Sequence, residues 1–285
     1  MTSEPAATLP VIVTGTSSGI GLETALGLAR DGVPVVATVR DPSRADALRE
    51  AADAAGVGLD VRRLDVTDEA SVTELVDGVV RHYGGIRGLV NNAGAAHIGT
   101  IEVGTVQDVR DTFEVNFFGV VAMTHAAMPH LRASGGVLVS VSSVGGIVGQ
   151  PFNEAYCGAK FALEGFMEAL EPVAATVGVR VVVVEPGAVA SSFVANAGVD
   201  PAALLERLGP YGPAASAYLA RTAGAFANAQ SSADAAAVIV AAVLDPTTPF
   251  RVQTSPAAVG FVSLKLADLD GSAVQGLTST WVAPA

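Results

Sequence analysis

Apolar runs rich in β-branched residues alternate along this chain with segments of helical period, and that alternation restricts the fold more than any other feature. Residues 9–14, 33–39, 59–66, 86–90, 137–142, 179–185 and 250–253 read as strands. Residues 18–31, 44–55, 105–133, 156–177 and 233–244 read as helices, the first closed by Gly32. Another helix follows the third strand, where Thr67 is placed to cap it with Asp68 and Glu69 in the first turn. The strands are continuous apolar runs rather than polar–apolar alternations, the pattern of a parallel sheet covered on both faces. Repeated strand–helix–strand units require right-handed crossovers. The expected fold class is therefore α/β, a three-layer doubly wound parallel sheet. No polar linker divides the chain, so residues 1–285 are expected to form one domain. Residues 191–232, rich in Ala, Gly and Pro, read as an insertion over the carboxyl ends of the strands, where such sheets bind ligands. Residues 250–285 form a last strand and tail.

Composition narrows the function. Lys plus Arg number 16 against 28 Asp plus Glu, a net charge of −12, and no basic patch is visible that would hold a nucleic acid backbone. Hydrophobic residues make up 50% of the chain and charged ones 15%, below the roughly 25% of an ordinary soluble domain, so a large core is affordable. The single cysteine, Cys157, excludes an internal disulfide framework and a cysteine-cluster metal site. His82, His97, His125 and His130 lack metal-ligand spacing, and no metal is expected. Residues 1–10 have neither the basic residue nor the long apolar run of a secretory signal. The longest Ala/Val/Ile/Leu stretch, residues 235–244, is half of the roughly 20 residues a membrane span needs. The expectation is a cytoplasmic protein without a membrane span.

Several short motifs carry chemistry. Thr14-Gly15-Thr16-Ser17-Ser18-Gly19-Ile20-Gly21 follows the first strand and opens the first helix. Glycines there let the backbone turn tightly and approach a diphosphate, and the helix N-terminus offers free N–H groups to it. The spacing is G-x-x-x-G-x-G rather than G-x-G-x-x-G, and the same glycines would serve a plain strand-to-helix turn. Arg40 stands just after the second strand, where an acid would hold the ribose 2′-hydroxyl of NAD. A guanidinium there forks onto a 2′-phosphate, which favours NADP, while the adjoining Asp41 keeps NAD open. Asp65 is placed either to accept a hydrogen bond from an adenine amino group or to cap the next helix. Asn91-Asn92-Ala93-Gly94 ends the fourth strand and suits a cofactor-lining loop or an ordinary turn. Asn116 lies mid-helix beside Val115, Phe117 and Phe118, where an Asn weakens the helix and, if buried, needs partners. The fifth strand runs into Ser140-Val141-Ser142-Ser143, and Tyr156 and Lys160 then share one helix face, four residues apart. Cys157 reads as a small packed residue, since no His or Asp is placed to activate it. Phe152, Phe161 and Phe166 read as core or pocket wall.

Taken in order, the glycine loop at 14–21, Asp65, the loop at 91–94, Asn116, Ser143, Tyr156 with Lys160, and Pro186-Gly187 resemble the short-chain dehydrogenase/reductase family over nearly the whole chain. Tyr156 lies thirteen residues after Ser143, the family's serine–tyrosine spacing, which selects Ser143 over Ser140 and Ser142. Residues 139–163 and Val36-Ala37-Thr38-Val39-Arg40-Asp41 are similar to the 17β-hydroxysteroid dehydrogenase type 1 and retinol dehydrogenase-like subgroup. Glu185-Pro186-Gly187 departs from that subgroup's Cys-Gly-Pro. Ser191 replaces the family's nicotinamide-contacting Thr, and Arg221 stands where the steroid enzyme has a substrate-orienting His, which argues against an oestrogen-type substrate.

The resemblance implies a Rossmann-like domain that transfers hydride between NADP (NAD as the lesser choice) and a carbonyl or a secondary or primary alcohol on a small hydrophobic substrate. Its implied catalytic residues are Asn116, Ser143, Tyr156 and Lys160. Tyr156 gives or takes the proton, Ser143 holds the substrate oxygen, Lys160 holds the ribose, and Asn116 holds a water linking Lys160 to solvent. Its implied cofactor residues are Gly15, Thr16, Ser17, Ser18, Gly19, Ile20, Gly21, Arg40, Asp65, Val66, Asn92, Ala93, Gly94, Tyr156, Lys160, Pro186, Gly187, Val189 and Ser191. Homodimers or homotetramers through the helices at 105–133 and 156–177 are implied as well. A phenol with an ordinary pKa of about 10 must drop about three units, roughly 4 kcal/mol, to work near pH 7. One cation about 4 Å away at an effective dielectric near 20 supplies roughly that, so Lys160 is expected to lower Tyr156. Two other readings stand beside this one: a non-catalytic NADP-binding sensor or scaffold of the same fold, and a dehydrogenase or epimerase of sugars or polyketide intermediates.

Overall fold

The apolar runs pair as the crossover argument requires. The computed structural model describes residues 9–191, 193, 200–227 and 229–283. Residues 1–8 of the N-terminal stretch and parts of the 191–232 insertion lie outside the described residues. The strands are β1 (Val11–Val13), β2 (Val35–Val39), β3 (Asp60–Arg63), β4 (Gly88–Asn91), β5 (Val137–Val141), β6 (Arg180–Glu185), the short β7 (Val189–Ala190) and β8 (Gln230–Ser231), and β9 (Arg251–Gln253). A parallel seven-stranded sheet runs β3-β2-β1-β4-β5-β6-β9, and β7 pairs with β8 apart from it. The winding reverses between β1 and β4, the place where open sheets of this kind leave a crevice at their carboxyl ends.

Because strand side chains alternate faces, each apolar run supplies two cores. On one face Ile12, Leu89, Leu138 and Val183 pack against α3 (Glu69–Tyr83), α5 (Gly119–Ser134) and α6 (Glu154–Ala175) through Val76, Met123, Leu163 and Met167. On the other, Val11, Val13, Val90, Val139 and Val184 pack against α1 (Gly19–Arg30), α2 (Ala45–Ala55) and α9 (Ser232–Leu244) through Leu28, Leu48 and Ile239. A Cβ on Gly27 would come within 2.8 Å of Val240, so this glycine permits the close crossing of α1 and α9.

The structure differs from the sequence reading in three places. Asp68, not Thr67, caps α3 by accepting from the Ala70 N–H, while Thr67 donates to Asp65. The helix expected at 105–133 is three pieces: α4 (Val106–Phe113), a π-helical turn at Glu114–Phe118, and α5. The insertion is more regular than its composition suggested: α8 (Gly212–Ala227) lines the crevice, and α7 (Pro201–Leu208) packs with it through Leu204 and Leu208. Helices α10 (Pro256–Leu266) and α11 (Ser272–Ser279) follow β9 and pack on the Val144–Gly146 turn through Ala258, Val262 and Val274. Among the described residues no helix is long and apolar enough to cross a membrane.

The sheet's last edge is fastened by charge. Arg251 on β9 lies 2.8 Å from Glu185 on β6, and 3.2 and 2.8 Å from Glu164 and Glu168 on α6. Glu185 is fully buried, and Gln253 donates to it at 3.0 Å. Burial pushes its carboxyl up from 4.5 to about 7, with Gln253 and Arg251 opposing the rise and Glu164 adding to it. A folded-state value above the ordinary one means the protonated carboxyl favours the fold. That contribution is fully present below 4.5 and is lost as pH rises through about 7. Glu185→Gln should remove this dependence. Thermal unfolding should show the wild-type Tm falling between pH 5 and pH 8 by about 5 °C more than the variant's, and parallel curves would show that Glu185 does not titrate in that range.

Candidate active site

The glycine loop is built so that side chains cannot fill it. Gly15 and Gly19 have φ of +71° and +62°, in the left-handed region. A Cβ on Gly15 would lie 2.8 Å from the Ala93 Cα, and one on Gly21 would collide with the Asn92 amide and the Gly15 carbonyl. The loop is tied to the end of β4 by Thr14, whose hydroxyl accepts from the N–H groups of Asn92 and Ala93, both at 2.9 Å. The Asn92 amide in turn donates to the carbonyls of Thr14 and Gly15 at 2.9 and 3.0 Å. Gly15, Ser17, Ser18, Gly19, Ile20 and Gly21 line the cleft that results, about 730 Å³ in volume. Thr16 does not: it is buried, with its hydroxyl donating to the Thr38 carbonyl at 3.0 Å. Its side chain anchors the loop instead of lining the cleft.

At one end of the cleft Arg40, Arg44, Asp65 and Val66 form the wall. The Asp41 carboxylate accepts from the Ser43 N–H at 2.9 Å and caps the turn Pro42–Arg44. That bonding to Ser43, with Arg44 and Arg40 nearby, holds the carboxyl below its ordinary value. Asp65 accepts from both the hydroxyl and the N–H of Thr67, at 2.8 and 3.1 Å, which organises the loop before α3. Burial tends to raise Asp65, but the Thr67 bonds and the nearby Arg40 and Arg63 leave it lowered.

At the centre Ser143, Tyr156 and Lys160 line the same wall. Ser143 follows β5 and accepts from the Gly145 N–H at 3.0 Å, which caps the turn Val144–Gly146. Lys160 is buried and donates to the Val141 carbonyl at 2.9 Å, with its Nζ 5.9 Å from the centre of the Tyr156 ring. The expected lowering of the phenol does not come from the protein's own groups. Burial pushes Tyr156 up to about 12, against a hydrogen bond with Ser143. Burial also pulls Lys160 down to about 8, while Glu164 holds it up. Desolvation disfavours the charged form of each, and it is the largest influence on both.

Asn116 sits in the π-helical turn, fully buried, and its amide donates to the carbonyls of Ala95 and Thr112, both at 2.9 Å. Its oxygen accepts from the Ala95 N–H at 3.3 Å. Both side-chain donors are thus committed to backbone, and the residue clamps the loop after Gly94 from behind rather than facing the cleft. The widened turn is what brings this amide to Ala95. Cys157 is buried, and its thiol is pushed up to about 11, an inert packed residue. Phe152 is core and Phe166 packs against core, but Phe161 is exposed, contrary to the pocket-wall reading.

Pro186, Gly187, Val189 and Ser191 line the far side, and Ser191 packs over Gly19. The end of the cleft away from the glycine loop contains residues that the sequence did not single out: Gln150, Phe193, Tyr218, Phe226 and Trp281, together with Asn153. Phe193 meets Tyr156 edge-on at 5.9 Å, and Asn153 donates to the Tyr218 hydroxyl. Phe152, at φ +58°, is the one described non-glycine in the left-handed region, and its ring lies 5.6 Å from Tyr218. Arg221 stacks over Trp281 at 4.2 Å and also lines the cleft. The aromatic content of the insertion and tail was the available signal, but nothing local assigned these rings to one wall.

Comparison with known proteins agrees with this geometry. The short chain dehydrogenase family matches residues 10–201. Retinol dehydrogenase 8 of Bos taurus is 37% identical over 277 residues, covering 92% of this chain and 86% of the relative. Human 17-beta-hydroxysteroid dehydrogenase type 1 is 35% identical over 272 residues, covering 92% and 82%. A short-chain dehydrogenase crystal structure from Streptomyces avermitilis superposes with a TM-score of 0.76 at 29% identity, covering 98% of each chain. With its glycine-lined crevice, its serine–tyrosine–lysine wall and these relatives, the chain belongs to the short-chain dehydrogenase family and is an oxidoreductase of CH–OH groups.

Proposed function

We propose that this protein interconverts a carbonyl and an alcohol on a small hydrophobic substrate with NADP(H), Tyr156 acting as the acid–base group. The observation that carries the reading is the convergence of the glycine loop with Ser143, Tyr156 and Lys160 on a single cleft whose other end is aromatic.

The residues present fit a dinucleotide. Positions 15, 19 and 21 leave a cradle that a Cβ would fill, next to the N-terminus of α1, where N–H groups favour a diphosphate. Gly15, Ser17 to Gly21, Asn92, Ala93, Gly94, Pro186, Gly187, Val189 and Ser191 would hold it, with Lys160 at the ribose. Arg40 and Arg44 offer cations at the adenosine end, and Asp41 is turned onto Ser43, which supports a 2′-phosphate over a bare ribose. When bound, the nicotinamide supplies the site that accepts or donates hydride.

The chain's own groups handle the proton and the oxygen. A phenol pushed up to about 12 is protonated at neutral pH, so Tyr156 is set to donate to a carbonyl oxygen. Ser143 supplies a hydroxyl to the same oxygen as charge develops there. Lys160 places a positive charge behind the ring. In the opposite direction Tyr156 accepts the alcohol proton, which requires that charge more. Phe193, Tyr218, Phe226 and Trp281 exclude water and favour an apolar substrate. Exposed Phe118 and Phe161, on the helical faces at 105–133 and 156–177, are consistent with a homodimer or homotetramer.

Tyr156→Phe should retain NADPH binding by fluorescence titration and lose about 10²- to 10⁴-fold in turnover across a panel of ketones, retinoids and steroids. Near wild-type turnover in that variant would end the acid–base assignment. NADPH binding with no oxidation of cofactor by any panel member in the wild type would favour the sensor reading. Arg40→Asp should move the ratio of kcat/KM for NADPH over NADH by at least about tenfold toward NADH, roughly the worth of one ion-assisted contact. An unchanged ratio would count against the 2′-phosphate contact.

A further inference from the structure

Behind the cleft lies a cluster of ionisable side chains that the proposed chemistry does not use. Glu164 stands one turn beyond Lys160 on α6, on the same helix face. It is buried. The turn after β5 closes directly onto it: a Cβ on Gly146 would meet the Ser142 hydroxyl at 2.6 Å, the Glu164 Cγ at 3.0 Å and the Lys160 carbonyl oxygen at 3.1 Å. The groups that face Glu164 are Lys160 and Glu168 from α6, Ser142 from the loop after β5, Glu185 from β6, and Arg251 from β9, with Gln253 on Glu185. Three carboxylates thus share one guanidinium, and they cannot all ionise cheaply in an enclosed site. Glu185 is the first to take a proton, since its carboxyl is pushed up to about 7. Glu164 is raised by burial but held down by Ser142, Arg251 and Lys160.

We propose that Glu164 is a positioning residue of the active site: its carboxylate, held by Arg251, keeps the buried Lys160 ammonium charged from the turn behind it. The need is physical. Lys160 is enclosed, and the hydrogen bond it makes, to the Val141 carbonyl, gives a buried ammonium one acceptor for three donors. Buried lysines without a counter-charge become neutral near pH 5–6. A neutral Lys160 would leave Tyr156 without a cation beside it. Burial already brings Lys160 down to about 8, and Glu164 is the group that opposes the fall. The consequence for catalysis rests on the reading of Lys160 given above, whereas the charge itself does not.

Lys160 and Lys265 are the lysines of this chain, so the charge can be read directly. In the full-length protein with 13C-labelled lysine, the Cε signals are followed against pH, with Lys265→Arg assigning them. In the wild type Lys160 should remain charged at pH 7. In Glu164→Gln its midpoint should fall by about one pH unit or more, tenfold in proton affinity. Glu168→Gln, which removes an exposed partner of the same Arg251, should leave the midpoint within a few tenths of the wild type. The alkaline limb of the pH profile of kcat/KM should move with the midpoint. If Glu164→Gln does not fold, Glu164→Asp retracts the charge by one methylene and should give a smaller fall. A wild-type Lys160 already neutral at pH 7, a midpoint unmoved in the Glu164 variants, or an equal fall in Glu168→Gln overturns the proposal. Because the titration needs no turnover, a protein that reduces no carbonyl would defeat the functional reading and leave this result standing.

Discussion

The cleft depends on how the ends of two neighbouring strands are joined. The crevice of a doubly wound sheet opens where consecutive crossovers run in opposite directions, and there the chain leaving β1 and the chain leaving β4 must be kept close without a helix to bridge them. One hydroxyl does this. Thr14 accepts from two successive N–H groups of the loop after β4, and the Asn92 amide returns two bonds to the loop after β1. The glycines at 15 and 21 follow from that closeness, since the gap between the loops holds backbone and one amide but no further side chain. Asn116 repeats the device one layer back, holding Ala95 from within the widened helical turn.

Electrostatics at the site are dominated by burial rather than by pairwise attraction. Enclosure moves the phenol of Tyr156 and the ammonium of Lys160 in opposite directions along the pH scale, and both moves favour the uncharged species. Coulomb arithmetic on sequence spacing alone reached the opposite conclusion for the phenol. It assigned the lysine a distance and a dielectric but no cost for leaving water. The lysine's hydrogen bond also points to the Val141 carbonyl, a direction that residue spacing on a helix does not specify.

Most of the architecture was legible because the strands are buried on both faces and so lack polar interruption. The glycine loop, Ser143, Tyr156 and Lys160 were legible because their meaning lies in order and position along that pattern. Other features were hidden for identifiable reasons. The π-helical turn at Glu114–Phe118 uses residues no different from those of an ordinary helix, and it is tied to a distant loop through Asn116. Thr16 and Ser17 are adjacent and chemically alike, yet opposite backbone directions send one to Thr38 and the other to the cleft. Tyr218 and Trp281 reach one wall from the insertion and the tail, elements whose helices are set by packing on the rest of the fold.

The fastening of the sheet's last edge also bears on the order in which the molecule can be completed. Every strand up to β6 has been synthesised once residue 185 has been made, and with them the glycine loop and residues 143, 156 and 160. Arg251 arrives much later in the chain, on the terminal strand. Until it does, Glu164 and Glu185 lack the guanidinium they share, and only their neutral forms are cheap to enclose. Residues far apart in synthesis therefore mature together: the lysine acquires its settled surroundings only when the final strand docks, so a growing or truncated chain that already holds every recognisable motif is not yet a finished enzyme.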